Sequence, residues 1–271
     1  MKEILIASYD MEIGGVERSL INMLSEFDYN SNNVDLMLYS HTGEFLSLLP
    51  KGFNLLPEIK EYKSFRMGVG ETFRNKLYGI GISRLLAKVL PNIKGKLNGI
   101  SEIGYYQMQL MWKYSMKYLP KLEKKYDVAI SYLWPHYFVA EKVNAKKKIA
   151  WIHTDFSTIE TDIEEDLRIW NKFDNIVAVS EECKNSFLNK YPSLNNKVSV
   201  IENITSPEFI NKMSQENVEK EIADDKSFKL ISVARLSHAK GIDNAVRALK
   251  ILKDRGLNNI KWYVVGYGGD E

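Results

Sequence analysis

The chain has 271 residues and a formal net charge of only +2, so overall charge predicts no particular partner. Hydrophobic residues make up 45% and charged residues 27%, which excludes a disordered chain and is ordinary for a globular protein. The single cysteine, Cys183, excludes an internal disulfide, and no apolar run reaches the roughly 20 residues that span a bilayer, so we expect a cytoplasmic protein.

Short apolar runs alternate with helical patterns through the N-terminal part of the chain. The runs lack polar alternation, which is typical of parallel strands covered on both faces. This order predicts a doubly wound α/β sheet. The predicted strands span 2–8, 34–39, 127–132, 148–153, 175–179 and 197–201, and the predicted helices span 16–27, 82–90, 105–125, 159–172 and 181–189.

The clearest helical period lies in 82–90, where apolar residues recur at the spacing of one helix face. Arg84 and Lys88 stand off that stripe, and Pro91 is expected to end the helix. The stripe consists of Ile82, Leu85, Leu86, Val89 and Leu90.

Charge is concentrated in residues 60–125, which hold 14 lysines and arginines against 4 acidic residues and are rich in tyrosine. A basic, aromatic segment of this kind predicts peripheral contact with an anionic membrane surface or with an anionic polymer. The alternative is a pair of helices whose lysines face water and bind nothing.

A polar, charged stretch separates two groups of elements. We predict an N-terminal domain over 1–205, a linker over 206–226 and a second domain that begins at 227. After the linker comes a β-α-β pattern, with strands at 228–233 and 260–265 and a helix over 241–255 that Gly256 ends. Residues 227–271 are short for a doubly wound domain, so we expect that domain to be incomplete and the chain to be a fragment.

Gly14 and Gly15 stand between the first predicted strand and helix. Glycine lets the backbone approach a ligand closely and adopt positive φ, and a helix N-terminus offers free N–H groups to an anion. A tight turn that needs glycine for its conformation alone is the alternative. The pair is not the Gly-x-Gly-x-x-Gly fingerprint, which disfavours a nicotinamide enzyme.

Arg235 and Lys240 follow the first strand of the second domain, in the loop before its helix. Open α/β sheets bind ligands at this end of a strand. A guanidinium and an ammonium there could neutralise a diphosphate leaving group without a metal ion. A surface loop with two solvated charges is the alternative.

His153 ends an apolar strand and could donate a hydrogen bond or move a proton in a cleft, although a structural histidine is the alternative. The other histidines, His41, His136 and His238, are scattered without metal-ligand spacing, and the chain has no Asp-x-Asp triplet. We therefore expect no metal site.

In order along the chain, these motifs resemble those of the family-4 retaining glycosyltransferases of the GT-B fold. The resemblance rests on Ile13-Gly14-Gly15-Val16-Glu17-Arg18, Trp151-Ile152-His153-Thr154-Asp155, Val177-Ala178-Val179-Ser180-Glu181, Ser232-Val233-Ala234-Arg235-Leu236 with Lys240-Gly241, and Val265-Gly266-Tyr267-Gly268-Gly269. Ala234 stands where the family often has glycine, and Ile201-Glu202-Asn203 matches a further motif only loosely.

The resemblance implies a GT-B-like chain with a Rossmann-like N-terminal domain and the first β-α-β of a second Rossmann-like domain. It implies transfer of a sugar from a nucleotide sugar to a polysaccharide or lipid-linked acceptor, with retention and without metal, cofactor or nucleic acid. In this reading His153 is catalytic, whereas Gly14, Gly15, Arg235 and Lys240 bind the donor diphosphate.

The family's Glu-x7-Glu segment would lie beyond Glu271, so the fragment is expected to be inactive by itself. A non-catalytic partner subunit and a nucleotide-sugar epimerase on the same fold are the alternatives.

Overall fold

The structure is a computed structural model that describes residues 1–98, 103–215 and 226–269. Of residues 92–98, 208–209, 212–213 and 239 it describes the backbone only. The chain divides into two compact units, Met1–Phe209 (unit 1) and Ile210–Glu271 (unit 2).

The predicted linker, 206–226, begins with a helix and continues into residues 216–225, which lie outside the described ranges, as do 99–102 of the basic segment. The domain limits 1–205 and 227–271 therefore stay a prediction.

Unit 1 is built around a seven-stranded sheet with the order β3-β2-β1-β4-β5-β6-β7, in which every pairing is parallel. The strand order changes direction at β1 and β4, which is the topology of a doubly wound fold. The predicted α/β class is confirmed, and only β3 is too short for its sequence to reveal. The strands are β1 (Lys2–Ser8), β2 (Asn32–Leu38), β3 (Asn54–Leu55), β4 (Lys125–Ser131), β5 (Asn144–Ile152), β6 (Asn175–Ala178) and β7 (Val198–Val200).

Helices fill the connections between these strands. The predicted helix 105–125 ends early: α5 stops at Ser115 and one turn of 3-10 helix continues to Tyr118. Leu119 is extended, because the residue before a proline disfavours helical backbone. The helices that precede unit 2's sheet are α1 (Gly15–Ser25), α2 (Lys60–Lys63), α3 (Val69–Arg74), α4 (Tyr78–Asn98), α5 (Ile103–Ser115), α6 (Tyr137–Lys142), α7 (Ile163–Trp170), α8 (Glu181–Lys190) and α9 (Pro207–Ser214).

The core of unit 1 lies on both faces of the sheet. Along β1, Leu5 and Ala7 pack into the cluster that contains Trp112 of α5, whereas Ile4 and Ile6 pack into the cluster that contains Leu20 of α1. Because both faces are covered, the strand residues are apolar without alternation, as the sequence predicts.

Helix α4 departs from its sequence pattern in two ways. It packs against α5 through buried Ile80, Ser83 and Ala87, and the Ser83 hydroxyl donates to the Tyr114 carbonyl at 3.1 Å. Most of the predicted stripe is on the opposite side, where Ile82, Leu85, Leu86 and Val89 are 47–52% exposed. The fifth residue of the stripe, Leu90, is half-buried against the cluster that α4 forms with α5.

The prediction that Pro91 ends α4 was wrong, because the helix continues to Asn98. Pro91 is buried, and burial of its ring offsets the single backbone hydrogen bond that a proline removes.

Unit 2 contains β8 (Phe228–Val233), α10 (Ile242–Asp254) and β9 (Ile260–Val265), which form the predicted β-α-β pattern. The two strands pair in parallel, with Phe228 opposite Ile260. Gly241 precedes α10 with φ of 60°, a left-handed conformation that glycine adopts without strain.

Candidate functional site

The carboxyl ends of the parallel strands form one edge of the unit 1 sheet, the edge at which open α/β sheets bind ligands. Strand β1 leads into the loop that ends at Gly14 and Gly15, and β5 is followed by His153. Only β4 lies between β1 and β5. The structure therefore brings these three predicted site residues to the same edge of unit 1.

The His153 ring lies against Tyr132, with their ring centroids 4.6 Å apart. Burial lowers the pKa of His153 to about 4, although a hydrogen bond to the Tyr132 backbone acts in the other direction. His153 is therefore neutral near pH 7 and can offer one ring N–H or one lone pair to a ligand. Its Nε2 atom has no hydrogen-bond partner among the described residues.

A cavity of about 140 Å³ adjoins His153. Its walls are mostly apolar and aromatic, and include Tyr105, Trp134 and Phe156. An engineered cavity of about 150 Å³ in another protein accepts benzene, so this cavity has room for about one six-membered ring.

Three residues that line the cavity carry a buried nitrogen with no partner in the described part of the chain, namely Nε2 of His136, Nε1 of Trp151 and Nε2 of His153. Buried polar groups in proteins are nearly always hydrogen-bonded, so each of these nitrogens is expected to have a partner such as an ordered water. Aromatic walls with a few polar atoms match a sugar, whose ring has apolar C–H faces and a rim of hydroxyls.

His136 was considered scattered in the sequence, yet it is part of this edge. Its Nδ1 atom lies 2.8 Å from the hydroxyl of Ser131, the last residue of β4. Its ring lies 4.6 Å from that of Trp170, and burial lowers its pKa to about 3. His136 follows closely after the predicted strand that contains Ser131. That position in the sequence is the signal that could have identified His136 as a residue of the ligand-binding edge.

A chain of hydrogen bonds joins α1 to the strand ends. The Ser19 hydroxyl lies 2.7 Å from the Tyr132 hydroxyl, and it donates to Asn203 Oδ1 at 2.6 Å. Asn22 of α1 donates to the Ile204 carbonyl at 2.8 Å. Since the Tyr132 ring contacts His153, three of the sequence motifs meet here: the Gly14-Gly15 loop with its helix, the His153 strand end and the Asn203 segment.

The two glycines at the start of α1 do not adopt the positive φ that glycine permits. Gly14 is extended, with φ of −164°, and Gly15 begins the helix. A Cβ atom on Gly14 would lie 2.2 Å from Oε2 of Glu17, whereas one on Gly15 would meet nothing within 4 Å. Gly14 therefore makes room for the Glu17 carboxylate, and Gly15 leaves open space at the helix start.

Carboxylates dominate the electrostatics of this loop. Burial raises the pKa of Glu17, and the nearby charges of Asp10 and Glu12 raise that pKa further. Asp10 is 1% exposed and accepts a hydrogen bond from Arg66 Nε at 2.5 Å. These charges weigh against a diphosphate at Gly14 and Gly15, whose predicted role stays a prediction, and they suit a ligand with hydroxyl groups instead.

The Asp10–Arg66 pair is a feature that the sequence analysis missed. Asp10 had a local signal, since it comes directly after β1 at the ligand-binding edge. Arg66 had none, because it is one of many basic residues in 60–125 and reaches Asp10 across 56 positions of the chain. Its guanidinium also lies 5.4 Å from the centroid of the Tyr9 ring.

Replacing Glu17 by glutamine is expected to stabilise unit 1 near neutral pH. Because the folded protein holds the pKa of Glu17 above its ordinary 4.5, ionisation costs stability, and this cost grows as the pH rises through 4.5. Urea unfolding of the wild type and the variant at acidic and neutral pH measures the difference. Glu44→Gln is the control, because Glu44 is exposed and lies outside this group of carboxylates. An equal stability of wild type and Glu17→Gln at neutral pH would contradict the prediction.

In unit 2, Arg235 and Lys240 both lie between the end of β8 and the start of α10, and both are exposed. Neither side chain has an ion-pair partner in the ranges that the structure describes. The structure therefore places these two predicted residues in the same connection of unit 2, at the carboxyl end of β8. Whether they share a ligand with the residues of unit 1 stays a prediction.

Glycines hold a second loop against Arg235. The Ala234 N–H donates to the Val265 carbonyl at 3.0 Å, and the Leu236 N–H donates to the Tyr267 carbonyl at 2.9 Å. A Cβ atom on Gly266 would lie 1.8 Å from the Ala234 carbonyl oxygen, and one on Gly268 would lie 1.9 Å from that of Leu236. Only glycine permits this approach, so both glycines position the backbone on either side of Arg235.

Two kinds of feature are absent from the described residues. They contain no group of three or more histidine, cysteine, aspartate or glutamate side chains that could hold a metal ion. None of their helices combines the length and the apolar character needed to cross a membrane.

Residues 213–271 match the family described as "Glycosyl transferases group 1". The crystal structure of a glycosyltransferase from Rickettsia africae ESF-5 is similar over 97% of this chain and 68% of its own, with 15% identity and a TM-score of 0.50. That of TarM is similar over 100% of this chain and 72% of its own, with 14% identity and a TM-score of 0.50.

A mutant of S. aureus TarM, in complex with fondaparinux, α-GlcNAc-glycerol and UDP, is 14% identical over 99% of this chain and 73% of its own, with a TM-score of 0.49. A search of curated proteins finds no match. The structural likenesses confirm the predicted GT-B fold, and the domain match together with that fold supports a glycosyltransferase enzyme.

Proposed function

We propose that the protein transfers a sugar from a nucleotide-diphosphate sugar to a glycan or lipid-linked acceptor, with retention of configuration and without a metal ion. One observation carries the proposal. The stretch that matches the glycosyltransferase domain, 213–271, contains Arg235, Lys240 and the glycines that flank Arg235, all at the carboxyl edge of β8 and β9.

Arg235 and Lys240 would bind the diphosphate of the donor. A guanidinium can donate two parallel hydrogen bonds to phosphate oxygens, and an ammonium adds a mobile positive charge. As the bond to the sugar breaks, negative charge grows on the leaving diphosphate, and fixed cations stabilise that charge most in the transition state. In this way two side chains could do the work that a metal ion does in other transferases.

The cavity beside His153 would bind a sugar ring. Its aromatic walls would contact the apolar faces of the ring. His153 is neutral, so it would orient the sugar through a hydrogen bond rather than through a positive charge. The mostly apolar walls would also limit the access of water, which otherwise hydrolyses an activated sugar.

Calorimetric titration with UDP, GDP and ADP tests the diphosphate site. We expect one of them to bind, and Arg235→Ala to weaken that binding by about 10- to 100-fold, because a hydrogen bond to a charged group contributes about 1.5–3 kcal/mol. Lys240→Ala should have a smaller effect, because an ammonium makes no bidentate contact.

Lys250→Ala is the matched control, since Lys250 is an exposed cation on the same α10 helix. Unchanged affinity in Arg235→Ala, or no binding of any nucleotide, would contradict the proposal and favour a non-catalytic partner subunit. In a longer version of the chain that includes the expected Glu-x7-Glu segment, turnover in the presence of a chelator tests metal independence, and the anomeric configuration of the product by NMR tests retention.

A further inference from the structure

Helix α4 presents an apolar face that no described part of the chain covers. Its exposed large side chains recur every three or four residues and form a stripe of about 16 Å. The opposite face of the helix is also apolar and packs on α5 through Ile80 and Ala87. A helix that is apolar on two faces is normally buried on both. The α4 stripe consists of Tyr78, Ile82, Leu85, Leu86 and Val89, which are 47–58% exposed.

Positive charge surrounds the α4 stripe. Helix α4 contains no acidic residue, and exposed Lys88 lies on its flank. Arg74 and Lys76, directly before the helix, are exposed as well. The whole segment 60–125 has 14 basic residues against 4 acidic ones. Ion pairs with carboxylates outside the segment involve Lys63, Arg66, Lys113 and Lys124 among its described side chains, and the segment still keeps an excess of positive charge. The partner of this surface is therefore expected to be both apolar and negatively charged.

Aromatic and basic side chains lie together near the N-terminal end of the α4 stripe. The Tyr118 ring packs against α4 at Gly79, where a Cβ atom would lie 2.4 Å from the ring, yet Tyr118 is 43% exposed. Lys117 Nζ lies 4.9 Å from the centroid of that ring, and Tyr78 begins the helix. Tyrosine and lysine are enriched where a protein meets the boundary between lipid headgroups and acyl chains.

We propose that α4 lies in the surface of an anionic phospholipid membrane, with the α4 stripe among the acyl chains and the basic residues among the headgroups. Such a surface supplies both features that the helix requires, apolar chains and negative charge. A second copy of this chain does not, because a symmetric contact would bring the two sets of positive charges together. A soluble polyanion supplies the charge but leaves the aliphatic side chains in water.

Flotation with vesicles tests the proposal. We expect the protein to bind vesicles of phosphatidylcholine mixed with phosphatidylglycerol, and to bind pure phosphatidylcholine at least about tenfold more weakly. Ile82→Gln combined with Leu86→Gln should weaken binding to the anionic vesicles by about tenfold or more, because two aliphatic side chains no longer enter the membrane. Binding should also weaken as salt rises.

Ile163→Gln is the matched control, because Ile163 is a 48% exposed aliphatic residue that begins the acidic helix α7. This control should bind vesicles as the wild type does. Thermal unfolding and nucleotide titration of the double variant should match the wild type, which separates this proposal from the proposed transferase activity.

Four results would overturn the membrane proposal. The first is wild-type binding that does not depend on phosphatidylglycerol, and the second is unchanged vesicle binding by the double variant. The third is a wild-type dimer in sedimentation equilibrium that becomes a monomer in the double variant while vesicle binding is unchanged. In that case the partner of the α4 stripe is a second copy of the chain. Tight binding of heparin that competes with the vesicles and survives the double substitution would assign the surface to a soluble polyanion instead.

Discussion

Replacing Trp112 by alanine is expected to lower the free energy of unfolding of unit 1 by about 3–5 kcal/mol, the usual cost of removing a large buried aromatic side chain. Trp112 is 0% exposed. Its ring stacks on Phe65 with centroids 4.1 Å apart, and its Nε1 donates to the Tyr9 hydroxyl at 2.5 Å. The substitution leaves a cavity and removes the donor to a buried hydroxyl, so both effects destabilise the fold.

The position of Trp112 connects this stability to the site. Trp112 lies on α5 within the basic segment, whereas Tyr9 directly precedes Asp10 at the carboxyl end of β1. Urea unfolding followed by circular dichroism measures the loss, and Trp112→Phe, which retains an aromatic ring, should cost less. A loss below about 1 kcal/mol in Trp112→Ala would contradict the prediction, because a surface substitution costs that little.

Acidification is expected to destabilise unit 1 steeply, through His136 and His153. Burial lowers their pKa values to about 3 and about 4, from an ordinary value of 6.5. Below pH 6.5 the two histidines are therefore protonated in the unfolded chain but remain neutral in the folded protein. The free energy of unfolding is highest above pH 6.5 and falls as the pH drops toward the pKa values of the folded state. Each histidine contributes a slope of up to about 1.4 kcal/mol per pH unit in this range.

Unfolding free energies measured at several pH values between about 7 and 4 test this prediction. His153→Asn should reduce the pH dependence of the unfolding free energy by the contribution of one histidine. His238→Asn, in unit 2, is the control and should leave that pH dependence of unit 1 unchanged. Identical slopes in the wild type and His153→Asn would show that His153 is not held neutral by burial. The neutral form matters for function, because a neutral ring can accept as well as donate a hydrogen bond.

The local pattern of apolar and polar residues was sufficient to predict the α/β architecture of the protein. Apolar runs without alternation predict parallel strands, since a strand covered on both faces has no polar positions. The residues at strand ends follow from the same reasoning, so Gly14, His153 and Arg235 could be assigned to ligand-binding edges before the sheet order was known. Gly256, which follows α10 with φ of 90°, was likewise recognisable as a helix end.

The exposure of α4 could not be predicted in this way. The periodicity of 82–90 shows that its apolar residues share one face, but periodicity does not say whether that face meets the core or water. Packing decided the matter, because the side of α4 with Ser83 and Ala87 fits against α5. The helix also continues past buried Pro91, where local preference alone predicts an end.

The sequence by itself determined the α/β architecture, the positions of the motifs and the uneven distribution of charge, because each depends on residues close together in the chain. Only the tertiary structure decided that Asp10 pairs with Arg66, that Ser19 joins Tyr132 to Asn203, and that Glu17 folds back toward Gly14. The long-range contacts depend on which strands are neighbours and on side-chain packing. Side-chain conformation placed a carboxylate at the helix start where the motif predicted an anion-binding site.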